Sequence, residues 1–379
     1  MLLPSLLISV SLALSAPAPS RFDLVAHQAE AARAESRLPE AIRLYREATG
    51  LRPSWADGWW YLGSLLYDQD RFAEAAKAFQ HLTVDPKYRG SAHAFLGLCE
   101  YETGRYDDAL AQFRAWAGSG WAGTRELRDV GYYHFALLLT RNGEFIKSLA
   151  LLTSITQQLG DTPEIAEAMG LASLRVTDLP ENYPPELRER IWLAGKATLY
   201  AQQNPALFER ADEYAARLEA RYPHQPEIHA FRATLYGFEK KSADAEREYR
   251  EELKISPNHV PSLVALVRID LQRDDTVEGI VLARKATSIE PGNAEAHHLI
   301  GRILFADGDL AAAAQELEAA KQLAPTTPAV RAHLAMVYGK MGRIRESKAE
   351  SDAYLALRKR VETPSPANMP PNDAPEKTR

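Results

Sequence analysis

Prolines recur at a fixed interval in the second half of the chain: Pro257 in "KISPN", Pro291 in "SIEPG" and Pro325 in "QLAPT" are evenly spaced, at a period of about 34 residues. A fixed period of this size constrains the fold more than composition does. It means that one supersecondary unit is copied along the chain, that a single copy cannot bury its own apolar face, and that copies must stack to make a core. Inside each copy the apolar residues fall at i, i+3, i+4 and i+7, the one-sided pattern of an amphipathic helix. Gly104, Gly143, Gly308 and Gly342 fall between two such runs, where a residue free to take positive φ lets the chain reverse, and proline ends the second run.

The internal pattern is specific. Trp59, Leu62 and Gly63 supply W-x2-L-G, Ala75 and Phe79 supply A-x3-F, and Pro86 closes that copy. Leu96, Gly97, Gly104, Tyr106, Ala109 and Phe113 repeat it, as do Ile300, Gly301, Gly308, Ala313, Leu317, Ala320 and Pro325. On these residues the chain resembles the tetratricopeptide repeat (TPR) proteins, of an exported bacterial type. The resemblance implies an all-α, TPR-like α-solenoid of stacked antiparallel helix pairs. Gly63, Gly97 and Gly301 in mid-helix then mark close approach of a partner helix, whose matching small residues are Ala75, Ala109 and Ala313.

About nine units follow from the spacing, near 22–53, 56–87, 90–120, 129–160, 188–223, 226–257, 260–291, 294–325 and 328–358. The first and last are the least regular, as caps of a stacked array are. One region departs from the pattern. The helix around Glu164 to Arg175 places Met169 and Gly170 in the Leu-Gly positions, but "VTDLPENYPPE" follows where a second helix is expected. An unpaired helix and a proline-rich loop near 160–187 therefore divide the chain into an N-terminal subarray at 22–160, an irregular linker at 161–187 and a C-terminal subarray at 188–360, with a bend expected at the join. Residues 361–379 are proline-rich and polar, the composition of a disordered tail.

The first residues, "MLLPSLLISVSLALSAPAPS", hold an apolar stretch from Leu2 to Leu14 followed by small residues, which fits a secretory signal peptide over 1–18. The stretch is short for a membrane-spanning helix. Periplasmic or secreted location is expected, with anchoring by an uncleaved segment as the alternative and no membrane span after signal removal.

"WAGSGWAGTRE" spells G-x-G-x-x-G with Gly118, Gly120 and Gly123, the glycine spacing of a dinucleotide-binding turn. That fingerprint requires a strand before it and a helix after it. Trp116 instead takes the last core position of a second helix, as Leu82 does one period earlier, so a helix precedes the glycines. They are expected to fill a lengthened loop between units, with Thr124 as N-cap of the next helix and Trp121 packing the seam or offering an exposed contact.

Catalytic, metal and cofactor residues are expected to be absent. Cys99, the one cysteine, excludes an intramolecular disulfide or a CxxC motif and sits in the apolar run "HAFLGLCEY". His93, His229 and His297 share the repeat position of Trp59, which assigns them to packing, and adjacent His297 and His298 point about 100° apart on a helix. The pairs Glu251/Glu252 and Asp274/Asp275 lie on polar faces or turns. With 45 Lys plus Arg against 51 Asp plus Glu, no basic field stands ready for nucleic acid.

In the TPR family the second, fifth, ninth and twelfth positions of each unit face the concave groove. Here they include Trp60, Tyr67, Leu98, Tyr101, Tyr133 and Leu137 in the N-terminal half, and Trp192, Lys196, Arg268, His298, Arg302 and Phe305 in the C-terminal half. Aromatic anchors with basic neighbours suit a protein or peptide carrying acidic groups. The carboxylate clamp of some TPR proteins needs Asn at groove positions that lack it here. The expected function is a non-catalytic scaffold that binds a protein or peptide partner in its groove in the cell envelope. The alternatives are a self-assembling array without a specific ligand and an enzyme with a groove active site.

Overall fold

In the computed structural model the described residues are 19–362, and the expected signal peptide and nearly all of the expected tail lie outside them. The described residues hold nineteen α-helices and no strand, and 77% of them are helical. All nine expected units appear as helix pairs, together with an extra helix; the first eight and that helix are, in order, α1 (Arg21–Ala34) and α2 (Leu38–Leu51), α3 (Ala56–Tyr67) and α4 (Phe72–Gln80), α5 (Arg89–Glu102) and α6 (Tyr106–Gly118), α7 (Arg125–Arg141) and α8 (Phe145–Leu159), then α9 (Pro163–Ser173), α10 (Arg188–Gln203) and α11 (Phe208–Arg221), α12 (Ile228–Phe238) and α13 (Ser242–Ile255), α14 (Val260–Gln272) and α15 (Thr276–Ile289), α16 (Ala294–Ala306) and α17 (Leu310–Leu323). The ninth unit is α18 (Pro328–Lys340) and α19 (Ile344–Glu362).

The chain forms two compact units, Met1–Ala115 and Trp116–Arg379, divided within α6. In the first, one core runs from Val25 through Ile42, Tyr45, Leu66, Phe79 and Leu82 to Leu96 and Cys99. Cys99 is fully buried, and burial pushes its thiol up to about 12, so it is an inert core residue. In the second, core clusters centre on Leu263, Val267, Leu299 and Ile303, and on Leu317, Leu334 and Val337.

The reversal has one geometry in eight of the nine helix pairs and after α9; between α10 and α11 the chain instead passes through extended Asn204 and a short 3-10 turn at Pro205–Leu207. Ser36, Asp70, Gly104, Gly143, Arg175, Lys240, Asp274, Gly308 and Gly342 all have φ between 54° and 77° or, for Gly308, 85°. After each, the next amide N–H reaches back to a carbonyl five residues earlier, as from Arg71 to Leu66 (2.9 Å) and from Asp309 to Leu304 (2.9 Å). This is the Schellman end of a helix. The close approach expected at glycine also holds: a Cβ on Gly63 would lie 2.8 Å from the Phe79 ring, and one on Gly301 would lie 2.6 Å from Leu317.

Arg175 belongs to that series, and Val176 N bonds Leu171 O at 2.9 Å. The α9 unit thus turns as the others do and then runs into the loop at 176–187 in place of a second helix of its own. The turn also corrects the register: counted back from Arg175, the small residue of the packing position is Ala168 and not Gly170. Gly170 serves a different contact. A Cβ there would lie 1.9 Å from the Ile191 carbonyl oxygen, and one on Gly195 would lie 1.7 Å from that of Ala166. The two glycines let α10 lie backbone against backbone on α9.

Gly120 and Gly123 lie in the expected loop, and Gly118 is the last residue of α6. α6 precedes the loop, Thr124 accepts a hydrogen bond from Leu127 N as N-cap of α7, and Trp121 packs edge-on against Trp116 (5.1 Å) and Tyr132 (4.6 Å). Trp116 is fully buried and donates to Ala122 O at 2.8 Å.

Candidate partner-binding surface

In the first compact unit the expected groove aromatics are joined to one another. Trp60 stacks on Tyr88 (5.0 Å) and meets Phe79 (5.7 Å) and Phe95 (5.6 Å) edge-on, while Tyr67 meets Phe72 (5.4 Å) and Phe95 (5.2 Å). Both are half-buried, and burial pushes the Tyr67 hydroxyl up to about 12. Tyr101 is 9% exposed with its ring against Tyr106, and Leu98 is buried. Aromatic pairs contribute about 0.5–1.5 kcal/mol each beyond area burial, so these rings hold the unit together whatever else they touch.

In the second unit Tyr133 is half-buried and Leu137 buried. Trp192 is 38% exposed, lies edge-on to Tyr214 (5.4 Å) and has the Lys196 ammonium 6.0 Å from its ring. Lys196 is not a free cation: its Nζ lies 2.5 Å from Asp161 Oδ1, and the Tyr200 hydroxyl donates to Asp161 Oδ2 at 2.9 Å. Burial raises the Asp161 carboxyl, yet these two hydrogen bonds outweigh it and hold it below its ordinary range. On α16, His298 Nε2 lies 3.0 Å from His333 Nδ1, with Arg302 one turn further on. His333 Nδ1 is also 2.7 Å from Ala329 O, so its proton is on Nδ1 and His298 Nε2 is the acceptor. Burial, then the neighbouring His333 and Arg302, push His298 down to about 4. Phe305 packs against the cluster of Leu317 and Leu334. Arg268 is exposed, 3.6 Å from Glu295.

Arg268 alone of these candidates lines an apolar cavity of the second unit. That cavity, about 270 Å³, lies among the ends of α8, α9 and α10 and the sides of α12 and α14. Its walls are largely apolar, including Phe145, Leu149, Phe231 and Leu235, and its most exposed large apolar members are Ile146 (85%) and Phe238 (48%). Arg175 places its guanidinium 4.5 Å from the Phe145 ring centre and 3.9 Å from Glu227 Oε1. His259 Nδ1 bonds Ser262 Oγ at 2.7 Å; its Nε2 lies 3.2 Å from Glu227 Oε1 but out of line, and has no hydrogen-bond partner. The wall helix α12 is fixed by Glu252, whose fully buried carboxylate accepts from Glu227 N (3.0 Å) and Ala230 N (3.3 Å). Sequence reasoning missed Ile146, Phe238 and His259 as a set, because no repeat position joins them.

The histidines read as packing residues are packing residues. His229 bonds Glu248 (2.8 Å) and Pro223 O (3.1 Å), and His297 bonds Glu316 (2.6 Å) and Pro291 O (3.1 Å), while His93 bonds Gln112 (2.7 Å). Trp59 donates to Pro53 O (2.9 Å) from the same position, and Arg331 to Glu350 (2.8 Å) and Pro325 O (3.3 Å). Each side chain ties its helix to the proline that ended the preceding unit, or to the second helix of its own, or to both. Glu219, His229 and Glu248 do bring three potential metal-ligand atoms within 4.8 Å of one another. Both His229 nitrogens are already engaged, however, and buried Arg232 stands 3.8 Å from Glu219, a permanent cation that opposes a metal ion.

The family comparison agrees with this geometry. Residues 27–88, 82–123 and 271–337 match family models described as tetratricopeptide repeat. No curated protein matches the chain. Among solved structures it is similar to MamA 41-end from Desulfovibrio magneticus RS-1 (18% identity, TM-score 0.39, 45% of this chain and 98% of that one). It is also similar to the APC/C hetero-tetramer Cut9-Hcn1 (13%, 0.36, 90% and 80%) and to an IFIT1 monomeric mutant with Gppp-AAAA (17%, 0.38, 76% and 74%). With the even period, the recurring turn and the family matches in agreement, the chain is a tetratricopeptide repeat protein.

Proposed function

We propose that this protein is a non-catalytic scaffold that captures a segment of a partner protein on the first-helix stripe of its second compact unit. One observation carries the reading: the apolar cavity among α8, α9, α12 and α14, with Phe238 and Ile146 exposed beside it and Arg268 on its lining. An apolar side chain of the partner fills the cavity, and an acidic neighbour pairs with Arg268, a combination of buried anchor and charged rim common at protein interfaces. Arg302, at the repeat position of Arg268, is a candidate secondary contact within the same unit. The encounter takes place in the cell envelope, a part of the proposal that rests on the apolar segment Leu2–Leu14. N-terminal sequencing of the mature protein tests it: a chain that begins close after Ala18 supports export, and an intact N-terminus in the membrane fraction supports anchoring.

Crosslinking, affinity purification and mass spectrometry identify the partner. Charge reversal then tests the site: Arg268→Glu with Arg302→Glu weakens an acidic ligand by about tenfold or more, ~1.4 kcal/mol, and leaves the helical content intact. Unchanged affinity in the folded double variant removes the basic rim from the proposal. Concentration-dependent oligomers with no co-purifying partner favour the self-assembling array.

A further inference from the structure

Second helices of successive units meet along a ridge, where position 25 of one unit faces position 19 of the next. Arg46 pairs there with Glu74, and Arg250 pairs with Glu278 through bonds of 2.7 and 3.0 Å while also holding Glu246 at 3.1 Å. Beneath the Arg250–Glu278 pair lies a buried acid, Asp270, pushed up to about 6 by burial and then by Glu278.

The first compact unit has the same ridge between α4 and α6 with the arginine missing. Glu100 and Asp108 hold the places around the turn at Gly104 that Asp270 and Glu278 hold around the turn at Asp274, but Gln80 stands in the place of Arg250 and Ala76 in that of Glu246. What remains is a polar cleft of about 490 Å³ lined by Lys77, Gln80, Glu100, Arg105, Asp108 and Gln112 among others. Glu100 is 8% exposed, and its Oε2 has no hydrogen-bond partner; Asp270 Oδ2 has none either, because Arg250 is held outward by Glu246 and Glu278, whereas Ala76 in the place of Glu246 leaves the way down to Glu100 open. A buried carboxylate oxygen without a donor is costly. The two cations of the cleft are exposed: Lys77 lies on the outer face of α4, and Arg105 Nε is 3.9 Å from Asp108.

We propose that the α4–α6 cleft receives an arginine side chain from a protein partner, its guanidinium taking the place that Arg250 holds between α13 and α15. A planar fork with five donors fits two carboxylates and the Gln80 amide, where an ammonium offers one point of charge. This site is independent of the cavity in the second unit.

The full chain titrated with N-acetyl-arginine amide, followed by amide chemical shifts, tests the proposal, with N-acetyl-lysine amide as comparator. Saturable shifts around Gln80, Glu100 and Asp108, with tighter binding of the arginine probe, are expected. Glu100 sits at about 7, raised by burial and then by Asp108 and opposed by Arg105, with the Cys99 thiol neutral beside it and Lys77 at the exposed edge. Its ionisation tightens the arginine probe by about tenfold between pH 6 and pH 8. Gln80→Arg supplies the guanidinium from within and abolishes probe binding without lowering Tm, and Asp108→Asn weakens it at least about tenfold. Absence of saturable binding, equal affinity for the two probes, or unchanged binding in the folded Gln80→Arg or Asp108→Asn variant overturns the proposal.

Discussion

His229 and Arg331 occupy one repeat position with the same two kinds of acceptor, a glutamate and a proline carbonyl, and this equivalence gives the histidine a pH response. A neutral imidazole has one N–H, so only the charged ring can donate to both. Burial lowers the His229 pKa, but the hydrogen bonds to Glu248 and Pro223 outweigh it and leave the pKa above 6.5. A raised pKa in the folded state means that this stabilisation is complete below 6.5 and is lost as pH rises through the folded value. His229→Arg is expected to keep both contacts at every pH, so its advantage in urea midpoint over the wild type grows from pH 6 to pH 8; an advantage that is constant with pH contradicts the assignment. His298 runs the other way. Its pKa of about 4 keeps it neutral, and its contribution is lost as pH falls from 6.5 toward 4. A third residue-scale test uses the turns: Lys240 holds φ 60° where four sister turns use glycine, so Lys240→Gly stabilises by about 1 kcal/mol, read as a higher thermal midpoint.

The helix pairs are legible in the sequence because each carries its own period, its own closing proline and its own turn. Five of the nine left-handed residues that end these helices are not glycine, and the Schellman geometry there is hidden because Ser, Asp, Lys and Arg tolerate a conformation that their identity does not announce. The register of α9 is obscured for a related reason. Gly170 resembles the small residue of the packing stripe, but its role is contact with the backbone of α10, a helix that begins only at Arg188. This contact makes a sharp prediction. Gly195→Ala forces a Cβ into the Ala166 carbonyl and is expected to cost about 3 kcal/mol or more, whereas Gly50→Ala, helical with nothing within 4 Å, gains roughly 0.5–1 kcal/mol. Equal effects of the two in urea denaturation refute backbone contact between α9 and α10. The cavity cannot be read from sequence at all. Its lining comes from six helices spread between Phe145 and Arg268, and it depends on how α10 docks once α9 has no second helix of its own.

At the scale of the molecule, two compact units each hold a core of their own, and among the described residues no helix is long and apolar enough to cross a membrane. Repeat arrays expose long side surfaces that repeat with the period, so exposure alone does not mark a binding site. Ile146 and Val277 show why. They share the same position in their units and are exposed to 85% and 79%, but only Ile146 lines the cavity. That pair offers the most direct test of the central claim. A photo-crosslinking amino acid placed at residue 146 or at residue 277 is irradiated in cells, and the products are identified by mass spectrometry. Capture by the cavity predicts one dominant partner crosslinked from position 146, lost on Arg268→Glu and absent from position 277. Equal crosslinking from the two positions, or a product at 146 indifferent to Arg268→Glu, contradicts it.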